Sequence, residues 1–376
     1  MLSTLCAIAL SKKKDPEGEI ALIGIRDLAR YLDISTGTVS RALNEKTDVN
    51  PLTRQRVRDA AAKLGYSPNQ AGRSLRRGQT DLIGMIIPTG FDATLINQVF
   101  LSVLDGLRRT LTANRLDLAI FLQGQEEDPF VALRRLTEKQ LADGLIIADT
   151  LHVDPRIDYL VEKQCPFVAF GRSLSGGKHA WVDPDFEGAV ANAIECLYQS
   201  GHRQIGLILP KRPTHYVHLI EKSFSRELAK RRLKAGATAC AKFEDTQAGG
   251  GNAAEYMLST HLGCTSLVLT DANQIAGVYR RLTELGLRPG KDISVIGLLP
   301  ERRDDFLSPK LTTIQTDWAA VGAKLGEALI GQLDGRPRGA SSARVLSRPK
   351  GQKPAAQQIL VPIRLTSGET LHQIVA

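Results

Sequence analysis

No apolar run in the chain approaches the roughly 18–20 residues that a membrane span needs, so a helical membrane protein is excluded. The marks of common enzyme families are missing too. There is no GxSxG nucleophile elbow and no HExxH zinc helix. The glycines at 249–251 stand outside any GxGxxG or GxxxxGK[ST] context, so phosphate cradling is unsupported. Cysteine is sparse: Cys6, Cys165, Cys196, Cys240 and Cys264 are odd in number, scattered, and form no CxxC pair. That excludes a disulfide framework and a thiolate zinc site, and leaves buried small hydrophobes as the expectation. Of seven histidines only His215 and His218 fall close together. Their spacing can hold a metal on a helix, but no carboxylate partner is evident and Pro213 points to a loop. No catalytic residue, cofactor or metal is expected.

A secretory signal is also lacking. Apolar Met1 to Leu10 precedes Lys12, Lys13 and Lys14, the reverse of the signal-peptide charge order. Residues 1–19 read as a disordered extension or the trace of an upstream start, and a cytoplasmic protein without membrane contact is expected.

What is present begins with charge. The chain of 376 residues, 43% hydrophobic and 24% charged, carries a net charge of +9. Between Ile20 and Gln79 eleven Lys and Arg face five acids, so most of the surplus lies in one short segment. That is the footprint of a phosphate-binding module. Within it, Ile25, Leu28, Ala29 and Leu32 mark one face of a helix. A break at Asp33-Ile34-Ser35 follows, and Ser35 is a natural N-cap for a second helix over Thr36 to Leu43. Val39, Ala42 and Leu43 turn inward there, while Thr36, Gly37, Ser40, Arg41 and Asn44 face out. A third helix, from Pro51 to Lys63, starts with proline in the first turn. Helix, tight turn and helix form a helix-turn-helix, whose second helix presents its N-terminal residues to the major groove.

From Thr80 short buried strands alternate with amphipathic helices. LIGMIIP (82–88), LDLAIFLQ (116–123), GLIIAD (144–149), FVAFG (167–171), QIGLILP (204–210), SLVLTD (266–271) and ISVIGL (293–298) read as strands. Helices fit between them, as at Leu95–Asn114 and Asp185–Ser200. The alternation implies parallel α/β sheets. Residues 334–358, rich in Pro, Gly, Arg and Ser, read as a flexible loop. A last strand over Ile359 to Leu365 is expected to complete the second lobe.

The segments IRDLARYLDISTGTVSRALN and VNPLTRQRVRDAAAKLGYSPNQAGRSLRRGQTDLIGMIIP resemble the LacI/GalR family of bacterial transcription regulators without a gap. The resemblance covers about residues 20–335 and includes VDPDFEGA…GHRQIG and ISVIG…PKLTTIQTDWAAVGAKLGEAL. It implies an all-α helix-turn-helix DNA-binding domain (20–67), a hinge (68–79), and an α/β two-lobed periplasmic-binding-protein-like domain with parallel sheets (80–376). Each lobe is expected to be discontinuous, with the chain crossing back at LTTI.

By resemblance, Thr36 and Gly37 occupy the variable base-reading slots and Arg41 is the base-reading arginine. A bidentate arginine–guanine contact is the commonest specific one. Ser35, Thr38, Ser40, Asn44 and Thr53 look like phosphate or backbone positioners. Tyr66, Asn69 and Arg73 match contact positions, and Leu75 matches the leucine that wedges the minor groove when the hinge helix folds on DNA. Gly72 departs from the usual Ala and lowers the helix propensity of the hinge.

The implied partners are a double-stranded operator, a second copy of the chain, and a small-molecule effector between the lobes. The effector position departs from the family pattern. Its strand-end Asp aligns with Gly171, its Arg with Ile220, and its other two Asp with Asn273 and Leu299. Asp92, Gln98, Phe100, Arg172, Asp183, Lys222, Asp271, Asn273 and Gln274 are candidate substitutes, the basic ones hinting at an anionic ligand. Three rivals remain at this point: an enzyme, a periplasmic ligand carrier, and a DNA binder with a degenerate cleft. The absent catalytic motifs weigh against the first, and the reader weighs against the second.

Overall fold

The computed structural model describes residues 23–43, 48–66, 79–88, 98–124, 128–233, 239–260, 263–298, 307–333 and 356–374. The expected extension at 1–19, the hinge residues Asn69, Arg73 and Leu75, and residues 334–355 of the loop expected at 334–358 lie outside them, while Gln358 of that loop is in a strand. The chain divides into two compact units between Gln79 and Thr80.

The first unit holds α1 (Ile25–Leu32), α2 (Thr36–Leu43) and α3 (Pro51–Leu64). Leu28, Val39, Ala42, Val57 and Ala60 are buried against one another and form its core. The boundaries follow from local chemistry. Asp33 ends α1 in the left-handed conformation, with φ 54°, a region that Asp tolerates better than most residues. Asn50 caps α3 by accepting from the Leu52 amide at 2.9 Å, and Gly65 closes it at φ 65°.

The second unit is two sheets with helices on their faces. The first sheet takes β1 (Leu82–Pro88), β2 (Asp117–Gln123), β3 (Gly144–Ile147), β4 (Phe167–Phe170), β5 (Trp181–Pro184) and β11 (Gln358–Val361), in the order β11-β5-β4-β3-β1-β2. The second takes β6 (Ile205–Pro210), β7 (Cys240–Phe243), β8 (Ser266–Leu269), β9 (Ser294–Leu298), β10 (Thr312–Thr316) and β12 (Ile363–Thr366), in the order β12-β10-β9-β8-β6-β7. All pairs are parallel except β10 with β12. Strands buried on both sides, such as GLII and SLVL, are continuous apolar runs for that reason.

Helices α4 (Gln98–Ala113), α5 (Pro129–Glu138), α6 (Pro155–Glu162) and α11 (Trp318–Leu333) cover the first sheet. Helices α7 (Phe186–Gln199), α8 (His215–Lys230), α9 (Gln247–Thr260) and α10 (Ala272–Glu284) cover the second. The chain crosses between lobes three times: after β5, after β10 and between β11 and β12. The crossing expected at LTTI therefore comes a few residues later, because Thr312–Thr316 first pairs with β9.

The final strand needs correction. Instead of one strand in the second lobe there are two, divided at Pro362. Gln358–Val361 extends the first sheet beside β5, and Ile363–Thr366 pairs antiparallel with β10. Proline has no amide hydrogen for a ladder, so it suits the point where the chain changes sheets. The glycines at 249–251 also gain a role. They lie inside α9, where a Cβ on Gly250 would sit 2.1 Å from the Gln274 carbonyl oxygen. Gly250 lets α9 approach α10.

Candidate DNA interface and effector cleft

Ser35 does what its position suggests. Its Oγ accepts from the Thr38 amide at 3.0 Å and lies 2.9 Å from Thr38 Oγ1, fixing the start of α2. With Val39 and Ala42 buried, Thr36, Gly37 and Arg41 are left exposed along the helix, and Thr38 and Ser40 are half-buried. The Arg41 side chain is 55% exposed, with Nε 3.8 Å from Asp48 Oδ2, a solvated pairing that a stronger acceptor displaces. Thr53 lies in the first turn of α3, and Tyr66 packs against the three-helix core. Asn44 lies outside the described residues.

In the second unit the lobes meet through two loops. Asp149, at φ 49°, turns the chain after β3 so that Thr150 and Leu151 reach the other lobe. There the Thr150 carbonyl accepts from the His215 amide at 2.8 Å, and Leu151 forms an isolated antiparallel bridge with Thr214. The His152 and His215 rings are nearly parallel with centroids 4.9 Å apart, and the His152 ring lies 4.2 Å from that of His218. His215 and His218 thus sit on the first turns of α8, where a loop was expected, because Thr214 starts the helix straight after Pro213. Among the described residues no group of His, Cys, Asp and Glu is arranged to hold a metal.

The candidate effector residues are largely engaged inside the protein. Arg172 donates to Asp183 at 2.8 Å and to both Glu187 oxygens, and its guanidinium lies 5.6 Å from the Trp181 ring. Burial pushes the Asp183 carboxyl up to about 7, with Arg172 opposing it. Gln274 is fully buried and donates to the carbonyls of Leu209, Phe243 and Glu244. Asp271 caps α10 by accepting from the Gln274 amide, and burial raises its pKa above the usual carboxylate value. Asn273 donates to the Asp245 carbonyl at 3.3 Å. Lys222 is exposed on α8, and Phe100 packs on the first lobe's core. Gln98 opens α4. Asp92 and Leu299 lie outside the described residues. Arg212, which the sequence reading passed over, donates to Asp245 from Nε at 2.7 Å and from Nη2. Arg172 and Arg212 at these strand ends thus already hold carboxylates, while Lys222 stays exposed.

Gly171 stands where the resemblance would place an aspartate. Its φ is 107°, and a Cβ would meet Thr150 Oγ1 at 2.4 Å. With the backbone so placed, a side chain at this position would collide with the interlobe loop.

A family model described as bacterial regulatory proteins, lacI family, matches residues 24–69, and one described as a periplasmic binding protein-like domain matches residues 194–370. The HTH-type transcriptional regulator AglR of Rhizobium meliloti is 32% identical over 319 residues, covering 83% of this chain and 88% of the relative. The chain belongs to the LacI family. It is a DNA-binding transcriptional regulator, and its relatives are regulators rather than enzymes. The crystal structure of the lac repressor dimer bound to operator and an anti-inducer shares the fold, with TM-score 0.78 and 21% identity over 93% of this chain and 99% of that one. A CelR–cellobiose complex does so with TM-score 0.66 and 19% identity, covering 93% and 99%. This LacI-family member carries both halves of the architecture: a helix-turn-helix unit and a two-lobed α/β unit with parallel sheets.

Proposed function

We propose that this regulator is a repressor that binds a pseudo-palindromic operator as a homodimer and responds to a carbohydrate or carbohydrate derivative between its lobes. The observation that carries the DNA half is the Ser35-capped helix with Thr36, Gly37 and Arg41 exposed and unobstructed by the core. Gly37 offers no side chain, so base reading falls to Thr36 and Arg41, while Ser35, Thr38, Ser40, Asn44, Thr53, Tyr66, Asn69 and Arg73 hold the backbone and Leu75 wedges the centre.

The dimer has support in the first lobe. Edge strand β2 exposes Ile120 and Leu122 on one face, and α4, which packs beside it, exposes Leu101. Exposed apolar side chains on a sheet edge call for a cover, and two-fold pairing matches a palindromic site. The carbohydrate reading draws on the cellobiose complex of the CelR neighbour. A ligand that binds one lobe arrangement better shifts the population toward it and changes hinge spacing. A second reading, a DNA binder indifferent to effectors, is favoured by the internal pairing of Arg172, Asp271 and Gln274.

Selection of bound duplexes from a random pool, repeated with neutral sugars, sugar acids and sugar phosphates, tests both. A palindrome whose enrichment changes with one compound supports the sensor. A palindrome indifferent to all supports the second reading. No enrichment from folded protein overturns the sequence-specific repressor.

A further inference from the structure

The chain enters the two-lobed unit at Thr80. The pairing of β1 with β2 starts only at Leu82, opposite Asp117. Thr80 and Asp81 are held by a side chain instead. Asp143, which precedes β3, is buried. Its Oδ1 accepts from the Thr80 amide at 2.8 Å and from the Thr80 hydroxyl at 3.2 Å, and its Oδ2 accepts from the Asp81 amide at 2.9 Å. Two successive amides thus converge on one anion, one oxygen each, and hydrogen bonds to a charged acceptor are among the stronger ones. Further bonds fix both partners. Asp143 donates its own amide to the Leu82 carbonyl at 2.8 Å, and the Asp81 carbonyl accepts from the Asp117 amide at 2.9 Å. Asp81 lies at φ 56°, so the chain turns sharply just before β1. Asp128, Asp185 and Asp271 bond amides two or three residues on, at helix starts. Asp143 instead holds residues 62 and 63 positions earlier, where the chain passes from one unit to the other.

We propose that Asp143 is a positioning residue for operator recognition: it fixes where the chain leaves the first lobe toward the reader, and thereby the spacing at which the two readers of a dimer bind. The inference rests on the dimeric operator reading above. Two linked readers act as a bivalent ligand, whose gain depends on how well the connection matches the span of its two sites. An anchored exit keeps that match narrow. A loose exit tolerates other spans, and the preferred one loses part of its advantage. Random duplex needs no matched span, so its affinity does not depend on the anchor.

Hydrogen exchange on the full-length protein reads the anchor directly. The Thr80 and Asp81 amides should be protected in the parent. In Asp143→Asn, where one acceptor oxygen becomes an amino group, they should exchange about 10-fold faster or more. Selection among duplexes that carry two half-sites at graded spacings reads the consequence. The parent should take one spacing. Asp143→Asn should also accept spacings a base pair shorter and longer, and lose about 3- to 30-fold in affinity for the preferred one, with random duplex bound as before. Leu160→Ala, a cavity in the core of the same lobe, should lower the melting temperature and keep the spacing, which separates positioning from stability. A parent whose two amides exchange like free chain overturns the proposal, as does an Asp143→Asn protein that keeps the single spacing of the parent. A parent with no preferred spacing overturns the dimeric reading along with it.

Discussion

Nδ1 of His152, on the first lobe, lies 2.8 Å from Nδ1 of His215 on the second. Two imidazoles at that distance share one proton, one ring donating and the other accepting. Burial, followed by the neighbouring His152, Arg172 and His218, holds the His215 pKa down near 4, with Glu187 opposing. His218 is lowered as well, by burial and then by His152, Lys222 and Lys242, with Glu221 opposing. A histidine depressed in the joined state takes up its proton more readily once the lobes part. Joining is therefore fully favoured above the free imidazole value of about 6.5. It weakens as pH falls from there toward 4 and changes no further below. Spin labels placed one on each lobe should report a growing open population over that window. His215→Asn should flatten the response, and an unchanged response in that variant would rule out the histidine contact as its source.

Arg41→Ala should lower discrimination of the selected operator by about 1–3 kcal/mol, with affinity for random duplex largely retained. Asp48 holds the arginine only loosely, at 3.8 Å in solvent, so little of the loss should come from the free protein. Anisotropy titrations on operator and scrambled duplex at one salt concentration separate the outcomes. Equal losses on both would make Arg41 a phosphate contact.

The reader was legible because its signals are local: a cap at Ser35, an apolar stripe through Val39 and Ala42, proline at the start of α3. The strands were legible where burial on both faces made them continuous apolar runs. Short strands with polar or mixed sequence, such as WVDP and CAKF, were not, since the neighbours that make them strands are distant in the chain. The single strand assigned to 359–365 failed for the same reason: which sheet each half joins is decided by β5 and β10, not by the strand itself. The engagement of Arg172 with Glu187, and of Gln274 with three carbonyls, is likewise a property of packing. His152 gave no signal, because its hydrogen-bond partner His215 lies 63 residues away.

Helix α4 crosses α11 on reciprocal glycines. A Cβ on Gly322 would lie 1.9 Å from the Val103 carbonyl oxygen, and one on Gly106 would lie 2.0 Å from that of Ala319. Backbone on both sides cannot yield as a side chain does. Gly322→Ala should therefore destabilise the two-lobed unit by about 1–3 kcal/mol through overpacking, despite the higher helix propensity of alanine. Thermal melts followed by circular dichroism measure it. A melting temperature equal to or above that of the parent would show that the helices can separate freely.

Gly171→Asp restores the carboxylate that the family pattern would place at this strand end, and the structure argues that it cannot restore the function. The position needs φ 107°, which aspartate adopts only under strain, and its Cβ would fall 2.4 Å from Thr150 Oγ1. Thr150 is the residue whose carbonyl receives the His215 amide, so any shift that makes room loosens the lobe contact. The expected result is a loss of about 1–3 kcal/mol in stability, a larger open population at neutral pH, and no gain in binding of neutral sugars by calorimetry. If the variant instead bound a hexose more tightly with unchanged stability, the steric argument at Thr150 would be wrong. The cleft would then be one substitution away from the usual hydroxyl clamp.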